Sequence, residues 1–189
     1  MNLLFVCTGN TCRSAMAEAA AKHIIETQPE QYSDFSVASA GVMCAGPSPA
    51  SMQAVLVAEE HGCDLSQFTA KQVTGDMMEQ ADYVFTMTRR HKQMLDYALP
   101  QHSGKTFLLT AYALGDASAP DIPDPYGGSV EEYAQCFAVL ESQIALVFEK
   151  IKKIMKCNGR KEPGRLYGTG TLLYDKDREK RNYFIIIHN

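Results

Sequence analysis

Several common features are missing from this 189-residue chain. Tryptophan is absent, which by itself excludes no class of protein. No Cys-x-x-Cys pair occurs among the six cysteines, so neither a zinc site nor the disulfide framework of a secreted protein is expected. No apolar stretch approaches eighteen residues, and no basic region precedes the short apolar run at the N-terminus. These absences favour a cytoplasmic protein that needs no metal or cofactor and does not associate with a membrane.

Charge is distributed unevenly along the chain. Residues 1–149 carry 7 Lys and Arg against 18 Asp and Glu, a net charge of −11, whereas residues 150–189 carry 11 against 4, a net charge of +7. The composition of residues 157–189 favours a flexible or loosely packed basic extension over an arm that binds nucleic acid or a partner. Residues 166–174 and 183–187 are also able to pair as a hairpin, although an isolated hairpin is marginally stable.

The hydrophobic pattern predicts one α/β domain. Hydrophobic residues make up 46% of the chain, enough for a substantial core. Short apolar runs at 3–6, around Val37, at 83–85 and at 106–109 indicate buried strands, each followed by a helical or loop segment. This alternation predicts a single domain with a central parallel sheet flanked by helices.

Two helices are indicated by their end signals. Ser48 and Pro49 predict the start of one helix and Gly62 its end. Its apolar face is expected at Met52, Val55 and Leu56. Residues 129–132, Ser-Val-Glu-Glu, form a capping box that predicts a long helix. The core-facing stripe of this long helix is expected at Val130, Tyr133, Phe137, Leu140, Ile144, Val147 and Ile151.

The most informative segment is residues 6–14, Val-Cys-Thr-Gly-Asn-Thr-Cys-Arg-Ser. It follows the apolar run at 3–6 and precedes a segment rich in strong helix formers, Ser-Ala-Met-Ala-Glu-Ala-Ala-Ala-Lys. The segment therefore predicts a phosphate-binding loop between the first strand and the first helix. The N-terminus of a helix binds anions through its free backbone N–H groups.

The residue types in this loop suit phosphoryl chemistry. The backbone N–H groups, the helix dipole and Arg13 favour the thiolate of Cys7, which is the nucleophilic form of a cysteine. The same donors fit the oxygens of a phosphoryl group, and the planar guanidinium of Arg13 can hold two of them. Gly9 is expected to let the backbone fold inward without a Cβ clash, and Asn10 tolerates left-handed torsions. Ser14 is placed either to cap the helix or to donate to the Cys7 sulfur.

This string resembles the N-terminal motif of the low-molecular-weight protein tyrosine phosphatase family, Val-Cys-x-Gly-Asn-x-Cys-Arg-Ser. That family also carries a catalytic aspartate in an Asp-Pro pair near its C-terminal helix, which Asp124 and Pro125 match within Ile-Pro-Asp-Pro-Tyr-Gly-Gly at 122–128. A Ser-Ala-Gly segment of the family is matched at 39–41. The resemblance implies a phosphatase domain over residues 1–156, followed by the basic C-terminal extension over residues 157–189.

The resemblance implies a protein phosphatase that forms a phosphocysteine on Cys7. Arg13 would stabilise the phosphoryl oxygens, and Asp124 would protonate the leaving group and then activate water. Tyr126 is expected at the entrance and Ser39 in support of the loop. Substrate binding is assigned to the remaining loop residues, Thr8, Gly9, Asn10, Thr11, Cys12 and Ser14. Phosphorylated proteins are the expected partners, nucleic acid is not, and no oligomeric state is predicted.

Thr11 indicates the substrate within the family. Eukaryotic-type tyrosine phosphatases usually carry isoleucine there, whereas threonine resembles the bacterial protein arginine phosphatases, as do residues 85–88 followed by His91 and Lys92, and residues 124–129. Isoleucine presents an apolar wall to a phenyl ring, whereas a hydroxyl can hydrogen-bond beside a guanidinium. We therefore expect hydrolysis of phosphoarginine. The alternatives are a tyrosine phosphatase, an arsenate reductase, which would need further redox cysteines downstream, and a phosphate-binding module without turnover.

Two further features of the loop region bear on its behaviour. Cys12 lies five residues from Cys7, so the two sulfurs either form a reversible, protective disulfide or remain separate thiols. When Ala70-Lys71-Gln72 is aligned with the Ala-Arg-Gln segment of the family, Phe68 occupies a position where many members have a histidine that helps to order the loop asparagine.

Overall fold

A parallel sheet organises the fold in this computed structural model, which describes residues 1–158. Its four strands are β1 (Asn2–Cys7), β2 (Ser36–Gly41), β3 (Tyr83–Thr86) and β4 (Thr106–Leu108). They have the order β2-β1-β3-β4, and all neighbours are parallel. The predicted α/β fold with a central parallel sheet is therefore confirmed. The last strand ends one residue earlier than expected because Leu109 already begins a helix.

Helices cover both faces of the sheet because the strands are buried on both sides. The α-helices are α1 (Arg13–Thr27), α2 (Pro29–Tyr32), α3 (Met52–Glu60), α4 (Gly75–Gln80), α5 (Arg89–Ala98), α6 (Leu109–Leu114) and α7 (Val130–Asn158). A short 3-10 helix at Pro100–Lys105 precedes β4. Alternate residues of β1 divide between two apolar clusters: Leu3 and Phe5 pack with α1, α3 and α7, whereas Leu4 and Val6 pack with α4 and α5.

The long helix α7 forms as predicted. Ser129 N donates to Glu132 Oε2 at 2.7 Å, and Glu132 N donates to Ser129 Oγ at 3.4 Å, which completes the capping box. Six of the seven stripe residues are at most 1% exposed, and Val130 packs partly buried against the same cluster. The helix therefore packs against α1 and α3 and contributes a large part of the core.

The prediction for α3 was wrong about its start and its buried face. Ser51, not Ser48, caps the helix, and its Oγ accepts from Ala54 N. Met52 and Leu56 are 76% and 44% exposed, only Val55 of the expected face packs partly buried against the core, and the buried positions are Ala54, Val57 and Ala58. Helical spacing fits either set, and the small alanines let α3 approach its neighbours closely. The predicted end is confirmed, since Gly62 follows the helix with φ +73°.

The loops that follow β1, β2 and β3 lie together at the carboxyl edge of the sheet. Met43 N, in the loop after β2, donates to Thr8 O, and Met87 N, after β3, donates to Val6 O. Ile122 N then donates to Met87 O, which brings the segment before α7 to the same edge.

Within residues 1–158 we find no helix with the length and apolar character needed to cross a membrane. The predicted hairpin of residues 166–174 and 183–187 lies outside the described residues.

Candidate active site

The loop of residues 8–12 connects β1, which ends at Cys7, to α1, which begins at Arg13. Asn10 has φ +59°, the left-handed conformation that its residue type tolerates, and among residues 1–158 it is the non-glycine residue with positive φ. Cys12 occupies the N-cap position of α1 but makes no side-chain hydrogen bond to the helix. The loop thus ends on a helix N-terminus that no side chain caps.

Hydrogen bonding beneath the loop directs a donor at the Cys7 sulfur. Both amide hydrogens of Asn10 are committed, to Ser14 Oγ and to Ser39 Oγ, each at 2.8 Å. Ser14 Oγ therefore accepts from Asn10 and has its own hydrogen to donate. The Cys7 Sγ lies 2.9 Å from Ser14 Oγ, whereas the carbonyl oxygen of Ala40 is 3.4 Å away. The geometry favours donation to sulfur over capping of the helix, a contact that stabilises a thiolate.

A buried carboxylate supports this network from below. Ser39 Oγ donates to Glu18 Oε2 at 2.6 Å, and Lys22 Nζ lies 2.6 Å from Glu18 Oε1. The Glu18 side chain is only 7% exposed, so its pairing with Lys22 offsets the cost of burial. In the sequence Glu18 and Lys22 look like an ordinary surface pair four residues apart in a helix. Neither was predicted as part of the site, and the only sequence signal is their position in an alanine-rich segment.

Asn10 is held without the histidine that many family members use. Its Oδ1 accepts from Lys71 N at 2.9 Å, so both ends of its amide group are engaged. Phe68, at the corresponding position, packs partly buried against the core. The contact from Lys71 and the buried Glu18 below Ser39 keep the loop asparagine in place.

Arg13 links the loop to Asp124, 111 residues later. Its NH2 group donates to Asp124 Oδ2 at 2.6 Å, and its NH1 group donates to Ile122 O at 3.3 Å. The Arg13 side chain is 5% exposed and that of Asp124 49%. The buried Nε of Arg13 has no hydrogen-bond partner among residues 1–158. A buried N–H donor without a partner is costly, and here it lies next to the anion-binding end of α1.

The segment that carries Asp124, residues 122–128, contacts the Cys7 loop through Arg13. Asp124 Oδ1 accepts from Tyr126 N at 3.3 Å, and the chain turns at Gly127, where φ is +78°. Tyr126 is 79% exposed, and its position at the entrance of the site stays a prediction. Gln53 Nε2, from α3, donates to Gly128 O at 3.4 Å. The short segment between Ile122 and α7 thereby faces the loop with its acid group accessible.

Arg89 fixes the start of this segment, a role that sequence reasoning missed. Its NH1 group donates to Asp121 Oδ1 at 2.9 Å, and its backbone N–H donates to the same oxygen at 3.1 Å. The NH2 group donates to the carbonyl oxygens of Ala117 and Ala119 at 2.9 and 2.6 Å. A planar guanidinium with several donors can tie a loop in this way, whereas a lysine could not.

Cys12 has hydrogen-bond partners of its own. Its Sγ lies 3.1 Å from the hydroxyl oxygen of Tyr133 and 3.6 Å from Thr11 Oγ1. Burial, together with the contact to Cys12, raises the pKa of Tyr133 to about 12, so its hydroxyl stays protonated and able to donate. Both cysteines are free thiols. Their reversible disulfide stays a prediction.

His91, at the start of α5, contacts the loop from the other side. Its Nε2 lies 2.9 Å from Thr8 Oγ1, and its Nδ1 lies 3.0 Å from Thr88 Oγ1. Burial lowers the pKa of His91 to about 4, with a further contribution from Arg13. The ring is therefore neutral at neutral pH. The sequence offered only the resemblance of residues 85–92 as a signal for this contact.

The expected reason for Gly9 was wrong, since the close approach occurs at Gly41 instead. A Cβ on Gly9 would meet only Thr11 Oγ1 at 3.8 Å, and its φ is not positive. A Cβ on Gly41 would lie 2.5 Å from Thr8 O and 3.0 Å from Gly9 C. Gly41 pairs with Cys7 in the β1–β2 register, so the end of β2 lies directly against the loop backbone.

We expect Gly41→Ala to distort the loop and to destabilise the protein. The added methyl would displace the backbone of Thr8, since both short contacts are to main-chain atoms, and such overpacking typically costs about 1–3 kcal/mol. Thermal unfolding and the inhibition constant of inorganic phosphate measure the two effects. Gly75→Ala is the matched control, because its Cβ would meet nothing within 4 Å in the described part of the chain, residues 1–158. Equal phosphate affinity in the two variants would contradict the expectation.

The structure thus brings together residues that the sequence analysis assigned to one site. Cys7 and Arg13 flank the loop, Ser39 Oγ accepts from Asn10 of the loop, and Asp124 pairs with Arg13. A thiol that receives a hydroxyl donor, a guanidinium with a free N–H and an accessible carboxyl group are the components of nucleophilic displacement at an anionic centre with acid assistance.

The chain is similar to known proteins over most of its length. Residues 2–157 match the family described as low molecular weight phosphotyrosine protein phosphatase. The protein-arginine-phosphatase of Bacillus subtilis strain 168 is 37% identical over 153 residues, which cover 81% of this chain and 98% of that protein. The protein-arginine-phosphatase of Geobacillus stearothermophilus is 37% identical over 150 residues, covering 79% and 95%. A solved structure of a mutant YwlE arginine phosphatase with a phosphorylated active-site serine has a TM-score of 0.76 and 36% identity, covering 82% of this chain and 99% of that one.

Proposed function

The chain belongs to the low molecular weight phosphotyrosine protein phosphatase family, and we propose that it hydrolyses phosphoarginine in proteins through a phosphocysteine intermediate. Two relatives, both named protein-arginine-phosphatase, match most of the chain. The expected family and the phosphatase activity agree with these matches. The observation that carries the proposal for this chain is the position of Arg13, which joins the Cys7 loop to Asp124 and whose Nε has no partner among the residues that the structure describes.

In the first step the Cys7 thiolate attacks phosphorus in line with the leaving nitrogen of the substrate guanidino group. The S–P bond forms while the P–N bond breaks, and the carboxyl group of Asp124 gives its proton to the departing nitrogen. Arg13 and the backbone N–H groups of the loop stabilise the charge on the phosphoryl oxygens. The guanidinium product leaves a phosphocysteine on Cys7.

In the second step the Asp124 carboxylate removes a proton from water. The resulting hydroxide oxygen bonds to phosphorus, the P–S bond breaks, and inorganic phosphate and the Cys7 thiolate are released. Ser14 supports both steps, because its hydroxyl can donate to the sulfur whenever the sulfur is negative. Asp124 is protonated again, which completes the cycle.

Thr11 supports phosphoarginine as the substrate. Its side chain is partly exposed in the loop and its carbonyl oxygen accepts from Ser51 N at 2.9 Å, which fixes the backbone at that position. A hydroxyl group here can pair with a polar guanidino group, and an apolar side chain cannot. Asp124 supports the same substrate, since its carboxyl group can accept a hydrogen bond from a guanidino N–H and give its proton to the departing nitrogen.

We expect Thr11→Ile to shift the preference toward phosphotyrosine. Loss of a hydrogen-bonding wall and gain of an apolar one should change the ratio of the two kcat/KM values by about 10-fold or more. Phosphate release from one protein carrying phosphoarginine and from one carrying phosphotyrosine measures this ratio. Thr11→Val is the matched control, because it removes the hydroxyl without adding the longer apolar chain.

The two variants separate the causes of specificity. If the hydroxyl decides, Thr11→Val should lose phosphoarginine activity while gaining little on phosphotyrosine. A wild-type enzyme that releases phosphate from phosphotyrosine but not from phosphoarginine would refute the proposed substrate. It would leave the phosphocysteine mechanism in place.

A further inference from the structure

His91 joins two elements at the active site, and the reaction above gives it no role. Its side chain bridges Thr8 in the phosphate-binding loop and Thr88, which precedes α5, at 2.9 and 3.0 Å. The residue is only 5% exposed. Because a buried imidazole with two short hydrogen bonds cannot turn freely, its protonation pattern determines which partner donates and which accepts.

The backbone of α5 determines the direction of these hydrogen bonds. Thr88 caps the helix by accepting the backbone N–H of His91 at 3.2 Å, which leaves its own hydroxyl hydrogen to donate. The acceptor in reach is Nδ1 of His91, and this arrangement favours the tautomer that has no hydrogen on Nδ1. The opposite tautomer would leave the partly buried hydroxyl hydrogen of Thr88 without an acceptor among residues 1–158.

A neutral ring with an unprotonated Nδ1 carries its hydrogen on Nε2. Burial keeps the ring neutral at neutral pH; the positive charges of Arg13 and Arg90 act in the same direction, whereas Asp124 and Asp121 oppose them. Nε2–H therefore donates to Thr8 Oγ1. The hydroxyl hydrogen of Thr8, an exposed residue of the loop, is then directed away from His91.

We propose that His91 is a positioning residue that makes the Thr8 hydroxyl a hydrogen-bond donor to the bound phosphoryl group. An oriented donor at the loop stabilises the charge on phosphoryl oxygens without reorganisation during the reaction. His91 would act only through Thr8 and would not touch the substrate. This role rests on the proposed function, since it requires a phosphoryl group in the loop.

A double-mutant cycle tests this proposal. Thr8→Val removes the hydroxyl, and His91→Leu removes both ring hydrogen bonds while retaining an apolar side chain of similar size. Each single variant should lower kcat/KM on p-nitrophenyl phosphate and raise the inhibition constant of inorganic phosphate by about 10-fold, the effect of one good hydrogen bond. The kcat/KM of the double variant should be no lower than that of the more impaired single variant, because both substitutions remove the same interaction.

His91→Gln provides the rescue arm, since its amide N–H lies near the position of Nε2. It should stay within about 3-fold of the wild type on both measurements, because the donor to Thr8 is retained. If His91→Leu does not fold, His91→Asn takes its place in the cycle, since its shorter amide can reach Thr88 but not Thr8. Thermal unfolding of every variant is the accompanying measurement.

Losses that multiply in the double variant would overturn the role of His91, as would a His91→Leu variant with unchanged phosphate inhibition. A His91→Gln variant as impaired as His91→Leu at equal thermal stability would overturn it too. The turnover of p-nitrophenyl phosphate by the wild type is the reference for these three outcomes. A wild type without turnover would refute the proposed function itself. A wild type with turnover, combined with a double variant whose loss is the product of the two single losses, would refute only the role of His91.

Discussion

Cys7→Ser should reduce turnover of p-nitrophenyl phosphate on the order of 10³-fold or more. A serine hydroxyl is scarcely ionised at neutral pH, so the donor from Ser14 and the N-terminus of α1 no longer have a thiolate to stabilise. Any phosphoryl group that reaches the serine oxygen should also remain there, because an alkoxide leaves phosphorus far less readily than a thiolate. Steady-state kinetics and intact-protein mass spectrometry measure the two effects.

Cys44→Ser is the matched control for the loss of a thiol. Cys44 is partly buried in the loop after β2 and its Sγ donates to Gly46 O at 3.2 Å, a contact that a serine hydroxyl can replace. Its turnover should therefore stay close to that of the wild type. Near-normal turnover by Cys7→Ser, or a phosphoryl group trapped on a different residue, would show that the nucleophile has been wrongly assigned.

The nucleophile and its loop could be predicted because their structure is local. Cys7, Asn10 and Arg13 lie within seven residues, between an apolar run and a helix-forming segment, so neighbouring residues alone specify the turn. The parallel sheet followed from the alternation of elements, and it explains why Asp124 reaches Arg13 from 111 residues away. Both segments lie at the carboxyl edge of the strands, where the loops of a parallel sheet converge.

The supporting residues could not be predicted because their roles depend on distant contacts. Glu18 reaches Ser39 across 21 positions, His91 reaches Thr8 across 83, and Tyr133 reaches Cys12 across 121. In the sequence each looks like an ordinary helix residue. Glu18 has the spacing of an exposed ion pair, and Tyr133 belongs to an apolar stripe.

The two errors have a similar physical origin. The apolar face of α3 depends on what packs against it, and the periodicity of 52–58 fits both the expected set and the buried set. The glycine that permits close approach is Gly41 rather than Gly9, because the contact is between the end of β2 and the loop, and only the sheet register brings them together. The residue pattern of one segment does not specify which other segment packs against it in the fold.

Asp124→Ala should separate substrates by their leaving groups. A general acid contributes about 10²- to 10⁴-fold when the leaving group is a strong base and little when it leaves as a stable anion. The kcat/KM for phosphoarginine should therefore fall by about that factor, whereas that for p-nitrophenyl phosphate should fall by less than about 10-fold. For each substrate, kcat/KM reports only the steps up to formation of the phosphocysteine. Slower hydrolysis of that shared intermediate therefore does not affect the comparison.

Asp124→Asn distinguishes proton transfer from positioning of Arg13. The amide oxygen can still accept from the NH2 group of Arg13, which it meets at 2.6 Å in the carboxylate form, but the amide cannot deliver a proton. If Asp124 is the acid, both variants should be equally slow on phosphoarginine. Rescue by asparagine would mean that Asp124 serves only to hold Arg13, and an equal loss on both substrates would exclude it as the acid. Asp116→Asn controls for the loss of one negative charge, since Asp116 pairs with Ser118 in an exposed turn.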